Sequence, residues 1–205
     1  MGKFFKSSKE ASNRIWNFLK EDSWQSWIVS LVLVIIFIRF IFFPTLSLFT
    51  GSSLPLVIVE SCSMYHESGF EDWWQRNGVW YEARGISKDD FESFSSKNGL
   101  NKGDILLLIG RGSYKKGDII VFVPNSESAA IHPLIHRLID EEPYGTKGDH
   151  NSDQLKIGNN PSKTDETNIP KGSIIGKTAL RIPLLGWIKL VFFEPFRASG
   201  ERGFC

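Results

Sequence analysis

Three short segments carry the side chains that amide hydrolysis needs. Ser63 stands in Ser61-Cys62-Ser63-Met64 after an apolar run, His136 in Leu134-Ile135-His136-Arg137, and Asp149 in Thr146-Lys147-Gly148-Asp149-His150-Asn151. A serine hydroxyl attacks an amide only if a base takes its proton near neutral pH, and imidazole, with an unperturbed pKa of about 6.5, suits that task. Ser63 is therefore the candidate nucleophile and His136 the candidate general base. Asp149, thirteen residues beyond the histidine, can accept a hydrogen bond from the other ring nitrogen, fixing the tautomer and stabilising the imidazolium. Singly, each has an ordinary reading: a strand-end serine, a core histidine, a turn aspartate. Jointly they supply the side-chain types that a serine hydrolase requires.

Other reactive groups compete less well. Cys62 offers a thiol beside Ser63, but neighbours on a strand point to opposite faces, so the serine keeps the role. His66 reads as loop surface, and Lys115, Lys116 and Lys147 as solvated charges. His132 and His150 have no partners at metal-ligand spacing. Gly103-Asp104 and Gly117-Asp118 read as turns before strands rather than as a carboxylate dyad.

In this order, and behind one upstream apolar span, the segments resemble the type I signal peptidase family over roughly residues 25–190. The likeness is to its archaeal and endoplasmic-reticulum form, in which a Ser-Gly-Ser-Met box carries the nucleophile and a histidine stands where bacterial enzymes use lysine. Cys62 replaces the glycine of that box. Gly176-Lys177-Thr178 followed by Arg181-Ile182-Pro183-Leu184-Leu185-Gly186-Trp187 looks like the family's closing strand and Pro-x-x-Gly turn. The resemblance implies a membrane-bound serine endopeptidase that removes signal peptides from exported preproteins after small residues, with no cofactor and no metal. It implies that the Ser63 backbone N–H and the Ser61 hydroxyl bind the oxyanion. It also makes Asp153 a rival to Asp149 as the partner of His136, because family members often carry a second aspartate after the Gly-Asp box. Implied partners are preproteins, the lipid bilayer and the protein-export translocon. A non-catalytic membrane-anchored scaffold or binding subunit of the same fold, and a specialised processing protease, are the alternatives.

These residues require a scaffold of strands. Apolar, β-branched runs at 54–59, 102–108, 116–122, 134–139 and 173–179, without alternating helices, predict a mainly β outer domain built on an antiparallel sheet. Residues 67–101 interrupt it as an insertion, with Trp73, Trp74, Trp80 and Tyr81 and then a helix over 87–97. The tryptophans read as membrane-interface aromatics.

With 205 residues, 24 Lys and Arg, 23 Asp and Glu and a net charge of +1, the chain offers no global electrostatic reason to bind nucleic acid. Two cysteines exclude a disulfide-rich scaffold and match no zinc or redox spacing. Residues 27–49 are almost wholly apolar and long enough to cross about 30 Å of hydrocarbon. Arg39 shifts the predicted span to 23–43, where its charge reaches the interface. Lys3, Lys6, Lys9, Arg14 and Lys20 precede the span, and no basic residue lies between Phe40 and Ser63. The expected order is thus a basic cytoplasmic tail at 1–22, with a short interfacial helix over 8–20, then a transmembrane helix with a linker at 23–49 and an extracytoplasmic domain at 50–205. The expected membrane is the plasma membrane, or that of the endoplasmic reticulum in a eukaryote. The apolar stretch 182–193 is too short to span and is expected to lie on a surface.

Overall fold

The computed structural model describes residues 13–198 and 202–205. Lys3, Lys6, Lys9 and the start of the expected interfacial helix lie outside them, while residues 13–19 are helical. The chain forms two compact units, Met1–Phe49 and Thr50–Cys205.

In the first unit Ser23, in extended conformation, caps α1 (Trp24–Phe37) by accepting the Ser26 N–H at 3.3 Å. The helix passes through a π-helical turn, Ile38–Phe42, that holds Arg39, and continues as α2 (Phe43–Thr50). Pro44 lies inside this continuous helix, just after the π-helical turn, where the ladder already departs from α-helical spacing and the proline has no N–H to donate to it. The continuous helix Trp24–Thr50 spans 27 residues, outlasting the expected 23–43, and is long and apolar enough to cross a membrane.

The second unit is mixed helix and sheet, where a mainly β domain was expected. Its six strands are β1 (Leu56–Ile58), β2 (Ile105–Ile109), β3 (Ile119–Phe122), β4 (Leu134–Glu141), β5 (Tyr144–Lys147) and β6 (Ile174–Ile182). They pair antiparallel in the order β1-β2-β6-β3-β4-β5. β3 is central, and its four residues are all buried because alternate side chains enter two cores. Ile119 and Val121 join Val59, Met64, Leu106 and Leu108, whereas Ile120 and Phe122 join Tyr114, Leu138 and Ile174. β5 lies in the Thr146-Lys147 segment, where sequence showed only a polar box.

The insertion folds into α3 (Phe70–Glu82) and α4 (Lys88–Ser93), the latter opened by a Ser87/Asp90 capping box. Its aromatics are not a membrane belt. Phe70, Trp73, Trp74, Tyr81 and Phe91 are buried together with Ile139 of β4, because α3 aims its apolar side at the sheet. A short α5 (Trp187–Phe193) follows β6 and leaves Ile188, Phe192 and Phe193 exposed. Cys62 and Cys205 form a disulfide across 143 residues, a link invisible in their spacing.

Candidate active site

Ser63 follows β1 in a turn rather than on the strand itself. Main-chain bonds lock that turn from two sides: the Leu100 N–H donates to the Met64 carbonyl at 2.8 Å, and the His150 N–H to the Ser63 carbonyl at 2.8 Å. His136 enters from β4, opposite Ile120 of β3, with its ring 2% exposed. The two meet as the chemistry requires, with Ser63 Oγ 3.0 Å from His136 Nε2. Gly148 passes so close that a Cβ there would stand 2.8 Å from both His136 Nε2 and the Ser63 carbonyl oxygen, so only glycine fits. Ser61 Oγ lies 3.2 Å from Ser63 Oγ, at the mouth of the same site.

The third member differs from expectation. His136 Nδ1 is hydrogen-bonded to Glu166 Oε1, and neither Asp149 nor Asp153 takes that place. Glu166 is fully buried. The Thr146 hydroxyl donates to its Oε1 at 3.1 Å and the Leu155 N–H to its Oε2 at 2.8 Å, so both oxygens are committed. No periodicity or motif in the turn-rich stretch around Glu166 announces it; the loop after β5 carries it under the histidine.

Asp149 is captured elsewhere because successive residues of β4 point to opposite faces. His136 faces Ser63, and Arg137 faces the insertion, where its Nη2 and Nε bond the Asp149 carboxylate at 2.7 and 3.0 Å. The His66 ring, stacked on Trp73 at 3.8 Å, adds a bond to Asp149 at 3.0 Å, and the Tyr81 hydroxyl donates to it at 3.2 Å. Burial alone would raise the Asp149 pKa, but Arg137 and these donors hold it well below the usual carboxylate range. Burial pushes the His66 imidazole down, against the opposing pull of Asp149. His66 is thus a buried residue and not loop surface.

Lys147 is buried as well rather than solvated, donating to the Gly148 carbonyl at 3.1 Å, and burial lowers its pKa to about 8. Asp153 is half-exposed and accepts from Trp80 Nε1 at 2.9 Å. The thiol alternative disappears, since a disulfide-bonded Cys62 has no thiolate to attack with. Among the described residues, no group of three or more His, Cys, Asp or Glu side chains is placed to hold a metal ion.

Asp149 therefore braces the fold. Asp149→Asn leaves a buried guanidinium without its counter-charge and is expected to cost about 3–5 kcal/mol, read as a lowered denaturant midpoint at pH 7. Because the folded-state pKa of Asp149 is depressed, its contribution is present above the unfolded value of about 3.9 and fades as pH falls through the folded one. The gap between wild type and variant should narrow toward acid pH; a gap that stays constant would contradict the ion pair.

A groove of about 730 Å³ leads to Ser63, lined by Leu56 and Ile58 on one side and Ala129, Ala130 and Ile135 on the other. β1 is an outer strand of the sheet. The Pro55 carbonyl accepts from Leu108, and Val59 bonds Asp104 and Gly103, so residues 55, 57 and 59 address β2. By alternation the N–H and C=O groups of Leu56 and Ile58 face away from β2, toward the open edge. That edge closes at Glu60, whose carbonyl accepts from Arg197 Nη1 at 3.1 Å. No protein-family model matches the chain, and no curated protein is significantly similar to it.

Proposed function

We propose that this protein is a membrane-anchored serine endopeptidase of signal peptidase type, which removes signal peptides from exported preproteins after small residues. The observation that carries the reading is the Ser63–His136–Glu166 relay at the end of an open-edged groove. A serine, an imidazole and a buried carboxylate in hydrogen-bond sequence have the roles of nucleophile, base and orienter whatever their order in the chain.

The substrate strand pairs with Leu56 and Ile58, gaining main-chain hydrogen bonds, while the apolar walls receive small side chains ahead of the cut. Ser63 Oγ attacks the scissile carbonyl carbon as its proton passes to His136 Nε2. Glu166 holds the Nδ1 proton and offsets the imidazolium charge. The negative charge on the carbonyl oxygen is met by the Ser61 hydroxyl and the Ser63 backbone N–H, each such donor contributing roughly 2.7–4 kcal/mol. When the tetrahedral species collapses, the C–N bond breaks and His136 returns its proton to the leaving amine, which is the new N-terminus of the mature chain. Water, deprotonated by His136, then hydrolyses the acyl-enzyme and frees Ser63.

The helix Trp24–Thr50 is the proposed anchor. The basic residues ahead of it favour a cytoplasmic N-terminus, leaving the catalytic unit where preproteins emerge from the export translocon. The Cys62–Cys205 disulfide supports the same side, because such bonds persist in oxidising compartments. Full-length protein in detergent, mixed with a preprotein bearing Ala at the cleavage position, is expected to release one fragment ending in that Ala. Binding without cleavage would favour the scaffold reading and overturn this one.

A further inference from the structure

The charged side chains that line the groove are gathered at one end of it. Its walls are apolar along β1 and across residues 129–131, whereas Glu60, Lys189, Arg197 and Arg202 cluster beside the nucleophile turn. Among the groove-lining side chains here, three cations stand against one anion, and Glu194, paired with Lys102, lies 3.6 Å from Arg197 beside them. Glu60 is already engaged, by Lys189 at 3.3 Å and Arg197 at 2.6 Å. Arg202 uses only its Nε among the described residues, donating to the Arg197 carbonyl at 2.8 Å.

That guanidinium does not dangle. The Cys62–Cys205 bond ties the C-terminus to the residue next to Ser63, the Gly203 N–H donates to Glu194 at 2.7 Å, and Phe204 packs on Trp187 with ring centroids 4.2 Å apart. Residues 202–205 are therefore held beside the groove, with Arg202 among its lining. Strand pairing also ends here, because Arg197 occupies the Glu60 carbonyl. A peptide paired with Leu56 and Ile58 keeps its upstream residues on the apolar walls, and its downstream residues leave past the cations, where side-chain charge rather than backbone pairing is read.

We propose that Lys189, Arg197 and Arg202 select substrates with an acidic side chain in the first residues downstream of the cut; the inference rests on the proteolytic reading above. Arg202 is the specificity-determining member, since its fork is suited to a carboxylate.

The test uses the full chain in phosphatidylcholine–detergent micelles and fluorogenic peptides that differ only by Asp, Asn or Lys at one of the first three positions after the cut. At the best position, Asp should exceed Asn by about two- to fivefold in kcat/KM, as expected of exposed ion pairs, and Lys should fall below Asn. Raising ionic strength should shrink the ratio. Arg202→Gln should bring it near one, and Arg202→Glu should reverse it in favour of Lys. Equal cleavage of the three peptides by the wild type, or an Asp preference unchanged by the Arg202 substitutions, overturns the proposal alone. So does an Arg202-dependent rise in turnover of all three peptides on adding anionic lipid, which would assign the cations to a headgroup phosphate. Failure to cut any peptide overturns the proteolytic reading itself, and the inference with it.

Discussion

Glu166→Gln is expected to lower kcat by about 10⁴-fold while leaving the protein folded. The Leu155 N–H requires an acceptor at the Oε2 position, so the glutamine must put its carbonyl there and turn its amide nitrogen toward His136. An N–H facing Nδ1 forces the ring proton onto Nε2, the nitrogen that must accept from Ser63. The Thr146 hydroxyl, which donates to Oε1, can rotate to accept from the new amide, so little stability is lost. Asp149→Asn should behave in the opposite way, with a large loss of stability and a modest change in kcat per folded molecule. Steady-state kinetics beside denaturant unfolding of the two variants separate the roles. If Glu166→Gln keeps kcat within tenfold of wild type, the carboxylate does not orient the base.

Ser63→Ala is expected to reduce kcat by about 10⁶-fold, to the level that binding and oxyanion donors provide without a nucleophile. Among the described residues the hydroxyl hydrogen-bonds to His136 Nε2 and Ser61 Oγ, and the turn around it is held by main-chain bonds that alanine keeps. The unfolding free energy should therefore fall by no more than about 1 kcal/mol, the net worth of one hydrogen bond. Because Cys62 is bound to Cys205, no neighbouring thiol can take over. Turnover by the alanine variant within a hundredfold of wild type would remove Ser63 from the mechanism.

Much of the scaffold was readable from pattern alone. Five of the six strands follow from apolar, β-branched runs, two of them opened by Gly-Asp turns, since strand burial leaves its mark on composition. The apolar helix followed from length and hydropathy. β5 escaped because its Tyr-Gly-Thr-Lys carries no apolar alternation; its burial comes from neighbours brought there by β4 and the insertion. The tryptophans were misread for a related reason. An exposed aromatic and a buried one look alike in sequence until the face that covers them is known, and the sheet supplies that face.

Ser63 and His136, the proposed nucleophile and base, were singled out by residue type and motif order, because a hydroxyl and an imidazole are recognisable by their chemistry. Their partner did not. Asp149 and Glu166 are both buried carboxylates on loops around β5, and nothing in composition or spacing says which of them lies beneath the imidazole. The strand pleat makes that choice: it sends His136 to one face of β4 and Arg137 to the other, and the guanidinium, as the stronger cation, claims Asp149. The same holds for the disulfide and for Arg202. Residues 143 apart in the chain become neighbours only when α5 and the tail fold back on the nucleophile turn, a consequence of packing that local sequence does not encode.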